Sequence, residues 1–178
     1  MTAPTANTKF VSDGRIGIDI TNLTSAANYG VGETHWGANG SEFVYAQSSG
    51  AHSQGVLVGL NANGTMTAVT GAILGTSSNT ISPRLAFVQT AFASSQFGFV
   101  QVRGAKVLIR IAGAGSVGAP LYTTDTAGTL SVSSASASQF QVFGVNLESS
   151  VSASGATATV ATANVSFPIV RFPKIGGG

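Results

Sequence analysis

The run Phe97 to Ala112, "FGFVQVRGAKVLIRIA", constrains this chain more than any other. Apolar and polar residues alternate on both sides of Gly104-Ala105, and a period of two sends successive side chains to opposite faces of a sheet. With Gly104-Ala105 as a two-residue type II′ turn, which favours glycine first, Val102 faces Val107, Val100 faces Ile109 and Gly98 faces Ile111. That face is wholly apolar. The other pairs Arg103 with Lys106, Gln101 with Leu108, and Phe99 with Arg110, the last within cation–π reach. A one-residue slip would mix the two sets, so the register is specified and the segment predicts a β-hairpin.

The same signals recur along the chain. Arg15 to Leu23 ("RIGIDITNL") alternates as a half-buried strand should. Glu42 to Ala46 predicts a short strand. Gln54 to Leu60 and Thr65 to Thr70 flank "NANG", whose Asn63-Gly64 marks a second hairpin. Strands are further predicted at Arg84 to Phe92, Phe140 to Leu147, Ala156 to Ala163 and Val165 to Phe172. Prolines at Pro168 and Pro173 confine the closing segment to an edge or an irregular path. No run has helical periodicity bounded by caps. Many short strands at this spacing predict an all-β fold, an antiparallel β-sandwich or β-barrel. The expected division is an extended N-terminal arm over 1–14, one β-rich domain over 15–173, and a flexible tail over 174–178. The polar stretch Asn7 to Asp13 is expected to order only against a neighbouring chain.

"VLIRIAGAGSVGAPLYTTDTAGTL" contains Gly113, Gly115 and Gly118 in the G-x-G-x-x-G spacing. A dinucleotide fold needs a helix opening at that turn, because free N–H groups and the helix dipole hold the pyrophosphate. Here Pro120 and the β-branched, aromatic "LYTTDT" favour a strand instead, and no carboxylate stands about twenty residues on. The motif reads as a tight connection between strands. Glu33, His35 and Trp36 in "GVGETHWGANG" are the most enzyme-like group, but one Glu and one His complete no site. They read as a glycine-flanked loop carrying a packed Trp. Scattered acids offer no pair for glycoside hydrolysis, and there is no G-x-S-x-G. The chain reads as a non-enzyme with no cofactor, no metal and no small-molecule substrate.

Charge narrows the class further. Only 8% of the 178 residues are charged, against 43% hydrophobic, so the surface must be built largely of Ser, Thr, Ala, Asn, Gln and Gly. Such side chains lose little rotamer entropy when fixed, which suits extensive permanent contact with other chains. A net charge of +2 is no nucleic-acid footprint, and no apolar run is long enough to cross a bilayer as a helix. The chain has no cysteine, so neither a disulfide frame nor a thiolate metal site is possible. Arg103, Lys106 and Arg110 form the basic group of note. Like charges opposed on one face would be relieved by an acidic partner surface.

Over Phe97 to Pro173, "FGFVQVRGAKVLIRIAGAGSVGAPLYTTDTAGTLSV" followed by "FQVFGVNLESSVSASGATATVATANVSFPIVRFP" resembles the capsid decoration, or cement, proteins of tailed bacteriophages. The pattern is a hairpin, a Gly/Ala turn, G-x-P-L-Y, T-A-G-x-L, a returning F-G-V strand and a closing strand ending in proline. The resemblance implies a small β-rich protein, often a trimer, bound to the exterior of the capsid and holding neighbouring major capsid protein subunits together. Lys9 and Phe10 in the arm, with Arg103, Lys106 and Arg110, are the candidate partner-binding residues. The competing expectation is a fibre, tail or adhesin component that recognises a host receptor, although such fibres usually show repeats or heptads.

Overall fold

The computed structural model describes residues 9–10, 18–37, 40–71, 81–133, 139–152 and 158–170. Their strands are β1 (Lys9–Phe10), β2 (Ile18–Asp19), β3 (Thr34–Trp36), β4 (Glu42–Ser48), β5 (Leu57–Asn61), β6 (Thr65–Ala68), β7 (Ile81–Phe87), β8 (Phe97–Ala112), β9 (Leu121–Thr123), β10 (Leu130–Ser131), β11 (Gln141–Leu147) and β12 (Thr159–Val170). The fold is all-β, as alternation predicts, and it is organised around β8. That strand, with β12, β11, β9 and β10, closes a five-stranded barrel, β10 returning parallel to β8. A second circuit runs from β8 through β7, β5, β6 and β4 back to β8, with β3 on its outside. β1 pairs antiparallel with β2 as a separate ribbon, Lys9 opposite Asp19 and Phe10 opposite Ile18. Lys9 and Phe10 thus pair within their own chain, which corrects the expectation that Asn7 to Asp13 orders only against a neighbouring one; the rest of the expected arm, 1–8 and 11–14, and the expected tail, 174–178, lie outside the described residues.

The predicted hairpin at Gly104-Ala105 is corrected: Phe97–Ala112 is one strand of 16 residues. Its first half pairs with β4, Val44 opposite Val100 and Glu42 opposite Arg103; its second half pairs with β12, Ala163 opposite Val107 and Ala161 opposite Ile109. Val102 and Val107 therefore never face each other. Between Val165↔Gly104 and Ala163↔Val107 the β8 side carries one extra residue. Such a bulge exchanges the inward and outward faces, so Val100 and Val102 point into one core while Val107, Ile109 and Ile111 point into the other. Gly104 (φ 137°) and Lys106 (φ 55°) supply the left-handed backbone at this bulge. A two-residue turn and a one-residue bulge both change the parity of the apolar set, and alternation alone does not separate them.

Of the other expected strands, Ala156 to Ala163 and Val165 to Phe172 are corrected, since Thr159–Val170 is a single strand, β12. Asn61 to Gly64 joins β5 and β6 with Leu60 opposite Met66, and Asn63 Oδ1 accepts from the Thr65 N–H at 3.1 Å. The strand expected over Arg15 to Leu23 ends at Asp19, whose carboxylate accepts from the Thr21 N–H at 2.9 Å and turns the chain. No helix follows Gly115, which instead bridges Val151. Pro168 sits in β12 beyond its last pairing with β8, where no N–H is needed on that side.

Two buried clusters fill the circuits. Val44, Val58, Leu60, Met66, Val88, Val100 and Val102 occupy the first. Ile109, Ile111, Leu121, Leu130, Val142 and Leu147 occupy the second, and Leu57, Leu85 and Phe87, on the outward faces of β5 and β7, join that second cluster. The two units are thus packed into one body as well as sharing a strand. A third cluster, Ile20, Phe43, Tyr45 and Phe99, lies on the outer side of β4 and β8, with Tyr29 packed against it.

Candidate functional site

Strand alternation sets the site. On β3, His35 turns inward against Tyr29 and Phe99, with ring centroids at 5.6 and 5.2 Å, and its Nε2 lies 2.9 Å from Glu33 Oε1. Trp36, the next residue, turns outward and is 49% exposed. This corrects the expectation of a loop with a packed Trp: the segment holds a strand, and its indole faces solvent.

Trp36 is directly opposite Glu42, and Glu42 directly opposite Arg103. That register brings an aromatic ring, a carboxylate and a guanidinium side by side across three strands. The Glu42 side chain is only 7% exposed and is flanked by two cations, Arg84 and Arg103. Arg84 hydrogen-bonds Glu42 Oε1 and reaches Thr34 Oγ1 at 3.3 Å. Arg103 Nε stands 3.4 Å from Glu42 Oε2, a charge contact rather than a hydrogen bond.

Above this carboxylate the Arg103 guanidinium lies 4.4 Å from the centroid of Trp36 and 4.7 Å from that of Phe167. Both contacts are within cation–π range. Phe167 is 49% exposed and sits at φ 49°, uncommon for a bulky residue. Its position follows from a bulge: Phe143↔Ile169 and Val145↔Val165 leave Gly144 facing Ser166, Phe167 and Pro168. At Gly144 a Cβ would meet the Ser166 carbonyl oxygen at 2.4 Å, so only glycine lets the bulge approach. Ile169, two residues on, is also exposed. Strained backbone held by close packing is the kind of feature found at ligand and partner sites.

The expected basic group is therefore divided. Arg103 belongs to the ring pair. Lys106 is exposed at the bulge, and its backbone N–H donates to Glu148 Oε1 at 3.2 Å. Arg110 lies past the bulge opposite Val160, its N–H donating to the Gly55 carbonyl at 2.7 Å. The opposed face of like charges depended on the hairpin and is absent with it. Lys9 and Phe10 form β1. Sequence reasoning passed over Glu42, Arg84 and Phe167. The available signal was Glu42 itself, an acid opening an otherwise apolar strand, which must find a cation if it is buried. Among the described residues no three His, Cys, Asp or Glu side chains gather to hold a metal ion. No protein-family model matches the chain, and no curated protein matches it.

Proposed function

We propose that this chain is a virion structural protein, working as a homotrimer on the exterior of an assembled phage capsid and cementing neighbouring major capsid protein subunits. The observation that carries the reading is the Trp36–Arg103–Phe167 stack. Trp and Arg dominate the residues that carry binding energy at protein interfaces. Here they are fixed before any partner arrives, by buried Glu42 below and by the Gly144 bulge alongside, so little side-chain entropy is lost on docking. The resemblance over Phe97 to Pro173 supplies the kind of partner, and the scarcity of charge suits a surface that stays covered.

A ligand that binds only the assembled lattice stabilises it by RT ln(1 + [L]/Kd) per site, and a trimer that engages several subunits gains avidity. Particles lacking the protein should release their genome at a lower temperature than particles carrying it, and adding purified protein back should restore the difference. Trp36→Ala with Phe167→Ala should prevent that restoration. Release unchanged by the protein, together with loss of host attachment in its absence, would overturn this reading in favour of a receptor-binding component.

A further inference from the structure

We infer that the Trp36–Arg103–Phe167 stack is a receptor for one carboxylate, an Asp or Glu side chain set among apolar residues on the partner protein. The inference rests on the capsid-binding reading and names the chemistry that its partner must present.

A guanidinium is a plane with two faces and N–H groups around its rim. Two rings, Trp36 and Phe167, lie against the Arg103 guanidinium, and its Nε is the nitrogen beside Glu42. What remains is the edge carrying the two terminal Nη groups. Among the described residues these make no hydrogen bond, while the side chain keeps 30% of its surface exposed. An open Nη edge is one of the two geometries that meets a carboxylate with paired N–H···O bonds, and lysine cannot reproduce it.

Charge points the same way. Two guanidinium groups, Arg84 and Arg103, share the single Glu42 carboxylate, which among the described residues leaves one positive charge uncompensated in a half-apolar setting. The nearby Lys106 already has Glu148 beside its backbone. Trp36 and Phe167 beside the guanidinium are both exposed, and so is Ile169, two residues beyond Phe167 in sequence. A docking carboxylate would be shielded from water by these side chains, which strengthens its pairing with the guanidinium. A partner presenting only apolar groups would instead bury the Nη edge unpaired, at a penalty.

Trp36 is the only tryptophan in the chain, so tryptophan emission, excited selectively over the three tyrosines, reports on this site alone. The test titrates the blocked peptide acetyl-Ala-Leu-Glu-Leu-Ala-amide into the full-length protein at low, constant ionic strength, beside its Gln counterpart, sodium acetate and sodium chloride. The expected result is a saturable change in Trp36 emission with the Glu peptide, an affinity at least tenfold weaker for the Gln peptide, and no saturation with chloride. Arg103→Lys should weaken Glu-peptide binding at least fivefold, while Lys106→Gln should change it less than twofold. Equal responses to Glu and Gln peptides would overturn the inference, as would acetate matching the Glu peptide, or Lys106→Gln weakening it as much as Arg103→Lys. If Arg103→Lys fails to fold, the wild-type discrimination and Lys106→Gln decide. Shell binding separates the two readings. A folded Arg103→Lys protein that binds shells as wild type does would overturn the carboxylate receptor and leave the capsid reading intact. A Glu-selective peptide response in a protein that never binds shells would do the reverse.

Discussion

Replacing Gln89 by Leu should destabilise the protein by about 1–5 kcal/mol, although Gln89 touches neither a ligand nor an ion. Along the edge of β8 that faces away from β12, Phe87 pairs with Gln101, the Arg110 N–H reaches Gly55, and β10 pairs from Ile111 onward. Among the described residues no strand serves Leu108 on that edge. The buried amide of Gln89 does so instead: Oε1 accepts from the Leu108 N–H at 3.0 Å, and Nε2 donates to the Leu108 carbonyl at 3.2 Å. Gln89 thus replaces a missing strand with one side chain. Leucine would leave two backbone groups without partners, each costing about 1–3 kcal/mol, offset by about 1 kcal/mol of added apolar burial. For a chain of this length the loss lowers Tm by roughly 2–20 °C. Urea unfolding measures the free energy, and hydrogen exchange at the Leu108 amide locates it. Gln89→Glu sharpens the test, because a neutral carboxyl can both donate and accept as the amide does, whereas a carboxylate opposes the Leu108 carbonyl. Burial beside that carbonyl pushes the carboxyl up from its ordinary range, so the variant's deficit at neutral pH should shrink as the pH falls and the group protonates. A Gln89→Leu protein within 0.5 kcal/mol of wild type, with Leu108 still protected, would refute the reasoning.

Burial pushes the His52 imidazole below its usual 6.5, against a smaller upward pull from a hydrogen bond to the Met66 backbone. The folded state therefore stays neutral where the unfolded chain takes up a proton, so this contribution is whole above pH 6.5 and declines below it. Wild type should lose stability relative to His52→Gln between pH 7 and pH 5 in parallel urea titrations; parallel curves would sink the assignment. Gly144→Ala should cost about 2–4 kcal/mol, through left-handed strain and the close Ser166 carbonyl, and should change Trp36 emission because Phe167 is displaced; an unaltered spectrum would separate the bulge from the ring stack. Phe87→Ala should cost about 3–5 kcal/mol by opening a cavity where Phe87 is fully buried, and a single transition by both fluorescence and circular dichroism is expected, since Phe87 lies between the two circuits.

Much of the fold was legible because β structure writes itself in alternation and turn residues. Asn63-Gly64 located one hairpin, and the Ile, Val and Phe periodicity located most strands. The bend in β8 was not legible, because a turn and a bulge leave the same parity change around Gly104; only the partners, β4 far upstream and β12 far downstream, decide between them. β3 was missed because three residues flanked by glycines carry too little pattern. The site was half legible. Arg103 stood out among few charges, but its neighbours Trp36, Glu42 and Phe167 come from three other strands, and their proximity exists only once the register of all four is fixed.

The sharing of β8 by both circuits also imposes an order on synthesis. Residues 42–103 hold everything the first circuit needs, and they emerge from the ribosome before β9 to β12 exist. Until those later strands arrive, Leu57, Leu85 and Phe87 have none of their partners on β11 and β12. The nascent chain therefore carries an oily flank beside the unpaired edge of a half-made β8, the kind of surface on which growing chains stick to one another. Folding yield in the cell should then depend on how quickly the last sixty or so residues follow, and slowing translation beyond Ala112 is a more direct route to aggregates than weakening the finished protein.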